Sequence, residues 1–386
     1  VTSPSWRAHF DVPADVAYLN TAYMGPLPRE AAAAGREALD RKLRPWEIGP
    51  DDFFAPVAEL RAVLAGLLGG DAAGVALTPA VSHGVATAAT NVELGPGQRV
   101  VVLAEQFPSH VYAWRDRAAA VGAEVIAAPR PAAGDWTASV LDLLDERVAV
   151  VAVPPCHWTD GGVVDLEAVG AAARAVGAAL VVDGTQWVGA APLDVGRIRP
   201  DFVAGATYKW LLGPYSLAYL WAAPHRREGR PIEHNWIARA GSEDFAGLVD
   251  YRDDYQPGAR RYDTGEVSNF ALVPVALTSA RLVADWGVEG LAAAARSRTD
   301  RIAAAATDLG LGVAATPHRA PHLLGLRLPG GVDPAALAAA LRHDRVHVSV
   351  RGTAVRVSVG AHVTDDDVDR FLTALSGAVE ASGRAG

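Results

Sequence analysis

Apolar residues gather along this chain in short blocks separated by alanine-rich stretches of helical spacing, a rhythm that predicts alternating strands and helices. The blocks at 99–104, 124–127, 148–153 and 180–183 read as buried strands. Between them, 111–121 and 166–176 carry helical spacing, so the expectation is α/β, a mostly parallel sheet covered by helices. Two more helices, 36–44 and 55–68, precede the sheet, the second entering Gly69-Gly70. After Asn269 the texture changes. Long helices are predicted at 271–286 and 288–309, then strands at 323–328, 346–350 and 354–359. A last helix runs from Asp365 to about residue 381, opened by the capping-type residues Thr364 and Asp365. The natural division is a large domain over 20–270 and a smaller one over 271–386, with residues 1–19 packed on the smaller one.

Composition narrows the class without naming a reaction. Half of the 386 residues are hydrophobic, enough for a sizeable interior. The net charge of −9, with no basic cluster to offset it, argues against nonspecific nucleic-acid binding. One cysteine, Cys156, excludes an intrachain disulfide framework and reads as a small buried residue. The first residues lack a signal peptide's apolar core, and no apolar run is long enough to span a bilayer. The expectation is a cytoplasmic protein with no membrane partner.

Against this background lysine is scarce. The chain has two, Lys42 and Lys209, and general replacement by arginine explains the scarcity. It does not explain why a lysine persists in Ala206-Thr207-Tyr208-Lys209-Trp210-Leu211-Leu212-Gly213-Pro214. Twenty-six residues upstream, the run Ala178-Ala179-Leu180-Val181-Val182 ends on Asp183. A strand-end carboxylate followed by a lone lysine in a Gly/Pro-bounded segment suits pyridoxal 5'-phosphate. The lysine forms a Schiff base with the aldehyde, and the aspartate keeps the pyridine nitrogen protonated. Thr78-Pro79-Ala80-Val81-Ser82-His83-Gly84-Val85 reads as a strand end running into a helix start, where backbone N–H groups can hold a phosphate. An ordinary N-cap serine would look the same. In Val355-Arg356-Val357-Ser358-Val359 an arginine sits between apolar residues, where burial without a partner is costly and a substrate carboxylate would supply one. Arg351 competes for that role, beside the turn-like Gly352.

The stretch Val181-Val182-Asp183-Gly184-Thr185-Gln186-Trp187-Val188-Gly189 resembles the class V aminotransferase family of fold-type I enzymes. Pro192-Leu193-Asp194-Val195, Pro200-Asp201-Phe202 and Tyr208-Lys209 follow in that family's order and spacing. The resemblance runs from about Tyr18 to the C-terminus. It implies a mostly parallel seven-stranded sheet between helices, with a smaller α+β C-terminal domain. It also implies a role for each matching residue. Asp183 would pair with the pyridine nitrogen, and Gln186 would reach the ring hydroxyl. Ser82, His83, Thr207 and Tyr208 would contact the phosphate. Arg356 would receive the substrate carboxylate, and Asn20, Ala22 and Tyr23 would lie over the substrate. Tyr23 replaces a small residue found in several relatives.

Phe107-Pro108, Tyr208-Lys209, Trp236 and Ser268-Asn269 lean toward the kynureninase-like branch of the family. There Phe107 would stack on the ring, with His110 its rival, although a core phenylalanine would look alike. Trp236 and Asn269 would reach the phosphate from the neighbouring subunit, which implies a homodimer with composite sites. A packed loop aromatic and a helix N-cap are the plain alternatives for those two residues. The reaction implied is cleavage or elimination of an amino-acid side chain, of C–S or C–C lyase type. An aminotransferase or an epimerase on the same scaffold is the alternative. Cys156, between Pro155 and His157, is not where a cysteine desulfurase carries its nucleophile.

Overall fold

The computed structural model describes residues 6–383 apart from Ala133 and Gly331. Its main sheet has seven strands in the order Val75–Thr78, Ala218–Ala222, Phe202–Ala206, Ala179–Asp183, Val148–Val153, Arg99–Leu103 and Glu124–Ala128. All run in one direction except Ala218–Ala222, which is antiparallel to both neighbours. Side chains alternate strictly between two cores. Val101, Leu103, Leu180 and Val182 face the helices Asp51–Leu67, Leu166–Ala175 and Leu272–Trp286. Val100, Val102, Ala179 and Val181 face the helices Val81–Asn91 and Tyr112–Val121. Burial on both faces is why these strands read as continuous apolar runs.

The strands Phe202–Ala206 and Ala218–Ala222 carry no pattern that the sequence reading picked out, because Phe-Val-Ala-Gly-Ala is mostly small side chains. The first long helix is Arg29–Arg41 rather than 36–44. Pro28 sets its N-terminus, and Ala31 to Ala34 are strong helix formers that show no amphipathic contrast. Helix Leu272–Trp286 packs into the larger core, where Val273, Ala276 and Val283 are buried.

The C-terminal sheet has three antiparallel strands, ordered Ser349–Arg351, Ala354–Ser358 and Leu323–Arg327. The strand expected over 346–350 is therefore split. Val346–His347 pairs in parallel with Ala17–Tyr18, while Ser349–Arg351 turns through Gly352, at φ +56°, to pair with Ala354–Ser358. Asn20 bridges to Ser358, and the Ala22 N–H donates to Ser358 Oγ at 2.9 Å. Further upstream, Phe10 packs on Trp286 and His362, and Arg7 pairs with Asp367 at 2.6 Å. Thr364 and Asp367 exchange bonds in a capping box that opens helix Asp365–Gly383.

Candidate active site

The carboxyl ends of the parallel strands converge on one cavity of about 250 Å³. Lys209, Asp183, Ser82, Phe107, Gln186 and Tyr208 all line it. Such placement follows from topology, since loops that leave parallel strands in one direction meet at one edge.

Lys209 is 6% exposed, and its Nζ lies 5.6 Å from the centre of the Phe107 ring and 5.4 Å from that of Tyr208. No carboxylate ion-pairs with it among the described residues. Burial, opposed by Asp183 and assisted by the charges of Arg356 and Arg351, brings its pKa down to about 8. The backbone of this loop is crowded. Gly25 donates to the Tyr208 carbonyl at 3.0 Å, and a Cβ on Gly25 would stand 2.1 Å from the Lys209 carbonyl oxygen. Only glycine permits that approach.

Asp183 ends its strand, buried, with Oδ1 accepting from the Thr185 N–H at 3.0 Å. The Thr185 hydroxyl borders the cavity and is buried without a partner. Gln186 donates through Nε2 to Ala22 O at 3.0 Å and accepts from Trp210 Nε1 at 2.9 Å. Of the two rings weighed for stacking, Phe107 lines the cavity. His110 is fully buried behind it, its Nδ1 2.6 Å from Gln106 Nε2. Phe107 is positioned by Glu105, whose backbone takes φ +57° and whose carbonyl accepts from Trp158 Nε1 at 2.8 Å. Trp158 also meets the Phe107 ring edge-on at 5.4 Å.

The remaining expected residues are distributed unevenly. Ser82 lies in the first turn of helix Val81–Asn91 and borders the cavity, but His83 does not: its Nε2 lies 3.8 Å from Glu233. Burial lowers the His83 pKa. The Thr207 hydroxyl bonds to Leu217 O at 2.7 Å, closing the loop after the lysine rather than facing the cavity. Burial pushes the Tyr208 phenol up to about 12. Asn20 accepts from Ser349 Oγ at 2.7 Å and Tyr23 is largely exposed, and neither lines the cavity. Trp236 packs against Phe53 and Phe245, away from the cavity of its own chain. Asn269 accepts from the N–H groups of Ala271 and Leu272, capping the helix that follows.

Arg356 is 1% exposed and donates from Nη1 to Trp158 O at 3.0 Å, leaving Nε and Nη2 buried without a partner. Burial and the nearby Arg351 charge lower its pKa to about 9. Sequence reasoning missed Trp158, Thr185 and Trp210 as parts of the site. Trp210 had a signal, an aromatic immediately after the lysine; the other two had none.

The residues present fit pyridoxal phosphate. A buried lysine with no acid partner, a strand-end carboxylate, an unpartnered hydroxyl and a helix start share one cavity. The model of the aminotransferase class-V family matches residues 50–371. The chain belongs to that family. Among class V relatives, it is 27% identical over 384 residues to isopenicillin N epimerase of Streptomyces clavuligerus, covering 93% of this chain and 94% of that one. It is 31% identical over 271 residues to kynureninase of Deinococcus radiodurans, covering 67% of this chain and 63% of the kynureninase. The fold is shared with the cystine C–S lyase C-DES, solved in complex with its product cysteine persulfide. That match has a TM-score of 0.83 at 20% identity, over 94% of this chain and 98% of that one.

Proposed function

We propose that this chain, a pyridoxal-phosphate enzyme of the class V aminotransferase family, acts on an amino acid or amino-acid conjugate. It removes the α-proton and then cleaves or expels part of the side chain. One observation carries this reading. Among the described residues Lys209 is the single basic amine on the cavity wall, its pKa brought down to about 8 by burial, with the Arg356 charge close enough to lower it further. That arrangement supports proton transfer on one face of the substrate.

Bound pyridoxal phosphate supplies an electron sink for charge left at the α-carbon. Asp183 would hold the pyridine nitrogen, Gln186 the ring hydroxyl, and the Ser82 helix start the phosphate. Phe107, on the cavity wall, would stack on the ring. Arg356 would take the α-carboxylate, and the Lys209 amine would carry the proton to and from Cα.

Epimerisation is the second reading, favoured by the nearly full-length similarity to isopenicillin N epimerase. It requires the proton to return on the opposite face, and no second basic amine or carboxylate besides Asp183 lines the cavity among the described residues. Incubating holoenzyme in D2O with a panel of β-substituted amino acids separates the readings. Release of a keto acid with ammonia supports cleavage, and inversion with deuterium at Cα supports epimerisation. A cofactor spectrum indifferent to every amino acid sinks both.

A homodimer with composite sites belongs to the same proposal. Trp236, Phe245, Leu248, Val249 and Tyr251 leave an exposed apolar surface on one segment. A second copy covering it could bring Trp236 or Asn269 to the phosphate end of its neighbour's cavity. No helix among the described residues is long and apolar enough to cross a membrane.

A further inference from the structure

We propose that the site selects an amino acid bearing a second carboxylate, with Arg351 receiving the distal acid while Arg356 holds the α-carboxylate. The proposal rests on the roles given above to Lys209 and Arg356.

The geometry begins with the hairpin. Ser349 is registered opposite Arg356, and Arg351 opposite Ala354. Directly paired residues share a face, and so do residues two apart on a strand. Arg351 and Arg356 therefore project from the same face as diagonal neighbours, at positions roughly 7–8 Å apart. Ser349, also on this face, donates its hydroxyl to Asn20. Both arginines also border Trp158: Arg356 bonds its carbonyl, while the Arg351 guanidinium lies 5.5 Å from its ring centre.

Neither guanidinium has an acid. Among the described residues no carboxylate ion-pairs with Arg351 or Arg356. Arg351 donates to the carbonyl of its neighbour Val350 at 2.7 Å and keeps a buried Nε without a partner. The acids near Trp158 are already engaged, since Glu105 and Asp160 both pair with Arg130. Two arginines in such positions normally carry carboxylates, because a buried unpaired charge is strongly unfavourable. One α-carboxylate satisfies Arg356, the deeper of the two. Arg351 is half-buried against the ring of Trp158, which itself lines the cavity. A substrate's side chain would extend there.

The test titrates holoenzyme with L-glutamate and L-2-aminoadipate against their neutral counterparts L-glutamine and L-norleucine, following the cofactor's visible absorbance. Diacids are expected to half-saturate at concentrations about tenfold lower than neutral chains. R351Q should reduce that ratio to near one, and R351K should restore part of it. R356Q should weaken both classes together. Equal affinity for diacids and neutral chains in the unaltered enzyme overturns the proposal, and this comparison needs no variant to fold. A uniform loss in R351Q overturns it too, since Arg351 would then hold the α-carboxylate. If no amino acid alters the spectrum of enzyme carrying cofactor on Lys209, the underlying reading of the site falls as well.

Discussion

Trp210 donates its indole N–H to Gln186 Oε1 at 2.9 Å. An indole nitrogen can only donate, so this bond decides which end of the amide is oxygen. Nε2 must then face Ala22, and among the described residues one of its two hydrogens has no acceptor.

Trp210→Phe should leave the fold intact and free the Gln186 amide to turn over. Loss of one hydrogen bond, about 1 kcal/mol, corresponds to roughly fivefold weaker cofactor affinity and a shifted absorption maximum. Equilibrium dialysis and a visible spectrum check both. Unaltered affinity and spectrum would show that Gln186 does not touch the ring.

Lys209 has its pKa lowered to about 8, chiefly by burial. The amine is nucleophilic only when neutral. The rate at which apo-protein captures pyridoxal phosphate, trapped by borohydride, should therefore rise about tenfold per pH unit below 8 and level off above it. Arg356→Gln removes a neighbouring positive charge, so the midpoint should move to higher pH. Asp183→Asn removes a negative one, so it should move lower. Peptide mapping that finds the reduced cofactor on Lys42 would sink the assignment.

Asp183→Ala should still take up pyridoxal phosphate yet lose nearly all turnover, because the protonated pyridine nitrogen loses its counter-ion. Activity retained within about tenfold, roughly 1.4 kcal/mol of barrier, would show that another residue does that work.

Shared sites can be tested by mixing inactive chains. Asn269 caps a helix, so Asn269→Ala would confound the result with lost stability. Asn269→Asp keeps a capping oxygen and places a negative charge where the phosphate would lie. Heterodimers of Lys209→Ala with Asn269→Asp should regain part of the activity, because one of their two sites escapes both lesions. No recovery after demonstrated subunit exchange argues that each chain completes its own site.

The parts of the site that were legible in the sequence are those whose chemistry is improbable in place. A lysine kept in a chain that otherwise uses arginine, a carboxylate ending a buried strand and an arginine inside an apolar strand all announce themselves. The sheet was partly legible because strands buried on both faces are unbroken apolar runs, and Phe202–Ala206 escaped because its residues are small. Trp158 was invisible for another reason: its role is defined by Phe107, Arg351 and Arg356, which lie far from it in the chain. The orientation of His83 toward Glu233 and the inward turn of the Thr207 hydroxyl are likewise settled by contacts that no local pattern encodes.

The stitching of the N-terminal segment to the last strand bears on how the molecule comes into being. Ala22 meets Ser358 across a sequence separation of 336 residues, and Ala17 waits for Val346. On a ribosome the stretch that braces Gln186 and the Tyr208–Lys209 backbone is made well before its own strand partners, Val346 and Ser358. The Asp183–Lys209 half of the site can form while synthesis continues, but its substrate wall closes only near the end. A partly made chain would thus carry the reactive amine before it had the means to choose what reacts with it.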